Sequence, residues 1–108
     1  MKKLILVLVL VCLISTFALA DSFLLRNSTL STFFYIYVSD SRINDWGDDL
    51  LGNQILSPGE TLRIESDIPM NSTSWDIRII DDDGDTYTLM GRRINSGATV
   101  SITYDDLD

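Results

Sequence analysis

Histidine is absent from this 108-residue sequence, and its single cysteine is Cys12. Without histidine the chain has no ordinary general base near neutral pH and no Ser–His or Cys–His nucleophile pair, and it lacks the commonest transition-metal ligand. Because Cys12 lies in the N-terminal apolar run, residues 21–108 have no cysteine with which to form a disulfide. Carboxylates are therefore the main candidates for any chemistry.

Basic residues are also scarce. The sequence has eight lysines and arginines against 16 aspartates and glutamates, and both lysines, Lys2 and Lys3, lie at its start. Residues 21–108 therefore carry six arginines, 16 carboxylates and a net charge of −10. Such a field repels nucleic acid and anionic lipid headgroups and favours cations or basic partners, although it also serves plain solubility. We expect no nucleic-acid partner.

The first 20 residues have the pattern of a signal peptide. Lys2 and Lys3 precede an uninterrupted apolar run at residues 4–14, and Ala18-Leu19-Ala20 forms an A-x-A cleavage site. The run is shorter than the roughly 20 apolar residues of a membrane-spanning helix. We therefore expect bacterial-type export to the periplasm or exterior, cleavage before Asp21, and no stable membrane anchor afterwards.

The remaining 88 residues, 21–108, show the pattern of a single β domain. Apolar residues recur with a period of two between regularly spaced turn signals, which predicts an all-β fold, a small antiparallel β-sandwich of about seven strands with one short helical turn. The clearest strands are residues 23–26, 33–38, 61–65, 75–81, 85–90 and 100–104. The second of these is apolar on both faces, which indicates a central strand or one with an aromatic outer face.

Residues 44–52 break the alternation. Trp46 and Leu50 are four residues apart, and Asn44 or Asp45 before them suits the start of one helical turn that Gly52 would end. Trp46, Leu50 and Leu51 would then close one open end of the sandwich, which we favour over a ligand-binding tryptophan. The candidate interaction residues of this segment are Trp46, Asp48 and Asp49.

The acidic stretch "DDDGDTY" at residues 81–87 lies between two predicted strands. A two-residue loop mixes polar and apolar residues on both faces of the hairpin, whereas a three-residue loop at residues 82–84 separates them. In that register Ile79 pairs with Tyr87, Ile77 pairs with Leu89, and Gly84 supplies the left-handed residue. We therefore predict the three-residue loop.

This register also places Asp81 opposite Asp85 at the rim of the sheet, where like charges repel. A divalent cation would relieve the repulsion, and Ca²⁺ prefers such oxygen ligands, which makes Asp81, Asp83 and Asp85 the candidate metal ligands. The stretch does not fit the EF-hand pattern, because Ile79 stands where its first aspartate belongs. Solvent exposure of the carboxylates is the simpler alternative.

An enzyme is not expected. A glycosidase needs two carboxylates on either side of a cleft, one of them shielded so that its pKa is raised. Here the acids fall on predicted turns and tails. Two N-glycosylation patterns, at Asn27 and Asn71, are short enough to arise by chance, and both asparagines fall in predicted loops.

One long pattern resembles a recurrent family of small exported bacterial β-sandwich domains of unassigned function. The pattern runs Ser-x-Ser, W-G-x-D-x-L-G, P-G-E and D-x-R-x-x-D-x-D-G-D-x-Y. The matching residues are Ser39, Ser41, Trp46, Gly47, Asp49, Leu51, Gly52, Pro58, Gly59, Glu60, Asp76, Arg78, Asp81, Asp83, Gly84, Asp85 and Tyr87. The resemblance implies a β-sandwich and an extracytoplasmic location, and it brings no activity, cofactor or catalytic residue.

The sequence thus favours an exported, non-enzymatic β-sandwich module with a binding or envelope-interaction role. Its partner would be a protein or a glycan, contacted at an acidic end built from residues 45–49 and 81–85 or at the aromatic second strand. The alternative is a calcium-dependent extracytoplasmic domain with its site in the acidic hairpin loop.

Overall fold

Six strands run through residues 21–108, the part of the chain that the computed structural model describes. They are β1 (Asp21–Asn27), β2 (Phe33–Asp40), β3 (Thr61–Ser66), β4 (Trp75–Asp81), β5 (Thr86–Arg92) and β6 (Thr99–Ile102), with 3₁₀ turns at Met70–Ser72 and Tyr104–Asp106. The predicted signal peptide lies outside the described residues. Within them, no helix is long and apolar enough to span a membrane.

The strands form two three-stranded sheets, which confirms the all-β prediction. One sheet has the order β3-β1-β6 and the other β2-β4-β5. Every pairing is antiparallel except that of β1 with β6, which is parallel. The described residues thus hold six strands, against the roughly seven expected from the turn spacing.

The alternating residues of both sheets build one core. Phe23 and Leu25 of β1 are buried while Leu24 between them is 37% exposed, as the period of two requires. The buried apolar set is Phe23, Leu25, Phe33, Ile36, Leu51, Leu56, Ile64, Met70, Trp75, Ile77, Ile79, Tyr87, Leu89, Ile94 and Ile102. It draws on every strand, so the core ties the two sheets together.

The β4–β5 hairpin has the predicted register. Ile79 pairs with Tyr87 and Ile77 with Leu89, so the three-residue loop at residues 82–84 is confirmed. Gly84 has a φ of 84°, a conformation that costs other residues strain, and its N–H donates to the carbonyl of Asp81 over 3.0 Å. The apolar face of this hairpin lies in the core.

The aromatic strand β2 is an edge strand, not a central one. Its neighbour β4 occupies the middle of the sheet, and Phe34 and Tyr35 are 41% and 44% exposed on the outer side. The segment after β2 runs back along the free edge. There the Leu50 N–H donates to the Ile36 carbonyl over 2.8 Å, and the Asp49 carboxylate accepts the Ile36 N–H over 2.9 Å. These bonds protect an edge that would otherwise be open to pairing.

The predicted helical turn at residues 44–52 is wrong. Asp45 Oδ1 accepts the N–H of Gly47, and the two oxygens of Asp49 accept the N–H groups of Leu51 and Gly52, each over 2.9–3.0 Å. Aspartate side chains offer the backbone an alternative to helical hydrogen bonds, and here they hold two successive turns.

The expected hydrophobic plug at this segment is only partly present. Leu51 is 4% exposed and joins the core, whereas Leu50 is 45% exposed. Trp46 is half-buried and stands outside the core cluster. Of the three residues, only Leu51 therefore closes the sandwich here, and Trp46 does not contribute to the core.

The two glycosylation patterns differ in their surroundings. Asn27 ends β1 rather than lying in a loop, and it is fully buried. Its amide donates to the carbonyls of Ser31 and Leu56, and its oxygen accepts two bonds from Thr29. Asn71 lies exposed in a 3₁₀ turn. The first asparagine is thus a structural residue, with no free amide for a glycan.

Candidate functional site

The acidic hairpin loop brings the three predicted metal ligands together. Asp81, Asp83 and Asp85 each offer one carboxylate oxygen, and these oxygens lie within 4.8 Å of one another. Two ligands on one Ca²⁺ can be separated by about twice the bond length of roughly 2.4 Å, so the spread is compatible with a shared ion. Three carboxylates would leave several coordination positions to water.

Asp81 itself has a structural role that the sequence did not indicate. It is 2% exposed, and its Oδ1 accepts the N–H groups of Asp83 and Asp85 over 3.0 and 2.9 Å. Its Oδ2 accepts the hydroxyl of Tyr87 over 2.9 Å. The alternative of plain solvent exposure is therefore wrong for Asp81, although Asp83 and Asp85 are exposed. Asp81 faces Asp85 because its side chain binds the backbone that turns between them.

Negative charge accumulates around this loop. The neighbouring carboxylates Asp82 and Asp81 raise the pKa of Asp83 above its ordinary value, with smaller contributions from burial and from Asp85. Burial, followed by the hydrogen bond to Asp81, raises the pKa of the Tyr87 hydroxyl to about 12. The loop thus carries four carboxylates and no basic residue between Asp81 and Tyr87, and a bound cation would lower the repulsion among them.

The two acidic segments do not form the single acidic end that the sequence suggested. Trp46 lies beside Asp76 near the start of β4, whereas the acidic loop follows Asp81 at its end. Asp76 and Asp81 are five positions apart in the strand, a separation of about 17 Å. Asp48 is exposed, and Asp49 has both oxygens engaged with backbone amides. Of the three proposed interaction residues, only Trp46 lines a cleft, which it shares with Asp76.

That cleft has a volume of about 110 Å³ and lies over the outer face of the β2-β4-β5 sheet. Its lining residues are Ser39, Ile43, Asn44, Asp45, Trp46, Asp76 and Met90. Both of its charged residues, Asp45 and Asp76, are acidic. Asp76 belongs to the pattern shared with the exported β-sandwich family, but it was not predicted to be a site residue. The signal in the sequence is a carboxylate on the outer face of a strand whose inner face carries Trp75, Ile77 and Ile79.

Burial of Asp76 follows from a bulge in the hairpin. Trp75 pairs with Arg92 and Ile77 with Leu89, so Met90 and Gly91 both stand opposite Asp76. The Gly91 N–H donates to Asp76 Oδ1 over 2.8 Å, and the Ser41 hydroxyl donates to the same atom over 2.6 Å. The loop after β2 thereby covers the carboxylate, which is 7% exposed.

Asp40, at the end of β2, shows how a buried carboxylate is normally satisfied. Arg42 donates to both of its oxygens, and the Thr73 hydroxyl donates to Oδ1 over 2.8 Å. The hydrogen bonds from Arg42 hold the pKa of Asp40 well below its usual range. This residue is a fixed structural anion and is not a candidate for proton transfer.

The sequence and the fold were compared with known proteins. No protein-family model, curated protein or solved structure matched the chain. The resemblance to the exported β-sandwich family remains a prediction from the sequence.

Proposed function

We propose that residues 21–108 form an exported, non-enzymatic binding module that contacts its partner through the cleft beside Trp46. The observation that carries this proposal is a half-buried tryptophan outside the core, lining a cleft with the buried carboxylate of Asp76. Tryptophan is enriched at binding interfaces because it offers a large apolar area and a polar N–H group. The indole N–H of Trp46 donates to no other described residue, whereas that of Trp75 donates to the Met70 carbonyl over 2.8 Å.

The arrangement of the acids supports a non-enzymatic role. The three buried carboxylates, Asp40, Asp76 and Asp81, all accept hydrogen bonds from backbone N–H groups, as structural carboxylates do. The aspartate with a raised pKa, Asp83, stands exposed at a loop tip, whereas a glycosidase acid is shielded from water.

The test is capture of a partner from an extracytoplasmic extract and from a glycan array, using wild-type protein and Trp46→Ala. We expect a partner that wild type retains and the variant loses. Asp48→Asn, an exposed change in the same loop, serves as the control and should retain the partner. Failure of the folded wild type to retain anything, or equal capture by Trp46→Ala, would contradict the proposal.

A second candidate function is calcium-dependent stabilisation through Asp81, Asp83 and Asp85. It is favoured by the 4.8 Å spread of their oxygens and by the raised pKa of Asp83. Such a site offers few protein ligands, so we place it among extracellular calcium modules, with dissociation constants of about 10⁻⁴–10⁻³ M. At a calcium concentration equal to that constant, binding adds about 0.4 kcal/mol to the free energy of unfolding.

Thermal unfolding in Ca²⁺ and in NaCl of matched ionic strength tests this second function. Matched salt is needed because screening alone relieves repulsion in a chain of net charge −10. We expect a calcium-specific rise in melting temperature that Asp83→Asn or Asp85→Asn abolishes. Asp82→Asn removes the same charge from the same loop outside the ligand set, and should keep the rise. Equal responses to the two salts would rule out the site.

A further inference from the structure

The three buried carboxylates differ in how completely the protein satisfies them. Both oxygens of Asp40 accept from Arg42, and both oxygens of Asp81 accept hydrogen bonds from its own hairpin. Asp76 accepts two bonds on Oδ1, but no described residue donates to its Oδ2. A carboxylate that is 7% exposed normally has a partner for each oxygen, because burying an unsatisfied charged atom is costly.

No arginine of the described chain fills this position. The ion pairs found there join Arg42 to Asp40 and Arg63 to Glu65. Arg78, two residues along the same strand, donates instead to the Thr88 hydroxyl. Asp76 is therefore a buried carboxylate without a counter-ion among residues 21–108, and it lines an open cleft.

The rest of the cleft suits a positive charge. Asp45, the second carboxylate in the lining, has its Oδ1 engaged with the Gly47 N–H, and no described residue donates to its Oδ2. Trp46 adds an aromatic ring, whose face attracts cations, and Met90 adds a polarizable thioether. Among the described residues that line the cleft none is basic, so none of them repels an incoming cation.

We propose that this cleft binds a primary ammonium group, the side chain of a lysine on a protein partner. This inference rests on the binding role proposed above and names the chemistry of the ligand. An ammonium has three N–H groups that point in different directions, so it can reach one free oxygen on each of two carboxylates. The planar guanidinium of arginine favours two oxygens of one carboxylate, and Asp76 has only one to offer.

The size and charge of the chain favour this occupant over others. A cleft of about 110 Å³ admits the end of an alkylammonium chain. The net charge of −10 over residues 21–108 attracts basic polypeptides and repels anionic membrane surfaces. Ethanolamine, the amine of a lipid headgroup, shares the ammonium chemistry and is a separate arm of the test.

Titration followed by ¹H–¹⁵N NMR spectroscopy tests the proposal on the protein expressed from its full sequence. The ligand is acetyl-Gly-Lys-Gly-amide, with norleucine or arginine replacing lysine in two control peptides. The lysine peptide should shift the indole N–H of Trp46 and the amides of Gly47 and Gly91, which bond the two cleft carboxylates. The norleucine peptide should shift none of them, and the arginine peptide should bind more weakly. Binding should weaken as salt is raised.

Two variants remove charge while keeping the fold. In Asp76→Asn and Asp45→Asn the amide oxygen can still accept the bonds that Oδ1 accepts now, and each should weaken binding about tenfold, which corresponds to about 1.4 kcal/mol. Asp48→Asn removes the same charge from the same loop outside the cleft, and should change affinity less than about twofold. The proposal would be overturned if Asp48→Asn weakened binding as much as the cleft variants do, or if the norleucine peptide caused the same shifts as the lysine peptide. Shifts confined to the acidic loop at residues 81–85 would also overturn it.

Ethanolamine binding as tightly as the lysine peptide would likewise count against a protein partner. Failure of the ammonium proposal can be distinguished from failure of the proposed binding function. Partner capture that depends on Trp46, without any response to the lysine peptide, would leave the binding role standing and remove the ammonium ligand. Loss of both would remove both.

Discussion

Replacing Tyr87 by phenylalanine isolates the bond that links the acidic loop to the core. The Tyr87 ring is fully buried against Phe33, with ring centres 5.4 Å apart, and phenylalanine preserves that packing. The change removes the hydroxyl that donates to Asp81 Oδ2 over 2.9 Å. That oxygen is then buried without a donor among the described residues, because the other bonds to Asp81 end on Oδ1.

Hydrogen bonds to charged groups contribute about 1.5–3 kcal/mol, so we expect Tyr87→Phe to lower the free energy of unfolding by about 2 kcal/mol. In a domain of this size each kcal/mol corresponds to roughly 4–8 °C, which gives a melting temperature lower by about 8–16 °C. Urea unfolding followed by tryptophan fluorescence measures the free energy directly. The m-value should be unchanged, because the surface exposed on unfolding is the same.

The matched control is Tyr35→Phe. Its ring is 44% exposed, and its hydroxyl makes no hydrogen bond to a described residue, so the loss should stay within about 0.5 kcal/mol. If Tyr87→Phe were no more destabilising than this control, the buried Tyr87–Asp81 bond would not hold the loop. The backbone bonds to Asp81 Oδ1 would then be sufficient to hold the loop.

Four other predictions concern groups that are buried, crowded or exposed. Because the folded-state pKa of Tyr87 is raised to about 12 from an ordinary value of 10.0, stability should be lost as pH rises through this range, and circular dichroism should show a smaller loss in Tyr87→Phe. The pKa of Asp83 is raised, so its charge opposes folding above that pKa; Asp83→Asn should raise the melting temperature at pH 7, and this gain should disappear in acid. Asn27→Ala removes four hydrogen bonds, three of them buried, and should lower the free energy of unfolding by about 3 kcal/mol or more in urea, whereas Asn71→Ala should stay within about 0.5 kcal/mol. In a host that glycosylates its exports, mass spectrometry should find a glycan on Asn71 and none on Asn27.

The β4–β5 hairpin is the part of the fold that the sequence predicted in most detail. Its register followed from one requirement, that Ile77, Ile79, Tyr87 and Leu89 share a face, because a slip of one residue would turn them all outward. The same requirement placed a glycine of positive φ at position 84. These are local properties of neighbouring strands, and local pattern is what a single sequence records well.

The segment at residues 44–52 shows where that reasoning fails. The spacing of Trp46 and Leu50 indicated a helical turn, but Asp45 and Asp49 bind the local amide groups instead. The role of Asp49 also depends on Ile36, 13 residues earlier, whose N–H it accepts at the edge of β2. A competition between side-chain and helical hydrogen bonds is decided by such a distant partner, which periodicity does not reveal.

The sequence by itself determined the β class, the hairpin register, the −10 charge of residues 21–108 and the absence of histidine chemistry, because each depends on composition or on alternation along a strand. Only the tertiary structure decided what the acids do. It buried Asp81 beneath its own loop and set Asp76 beside Trp46, from a segment 30 residues away in the chain. Whether a carboxylate is satisfied, crowded or left open to a ligand depends on the donors that folding brings to it, and these come from distant parts of the sequence.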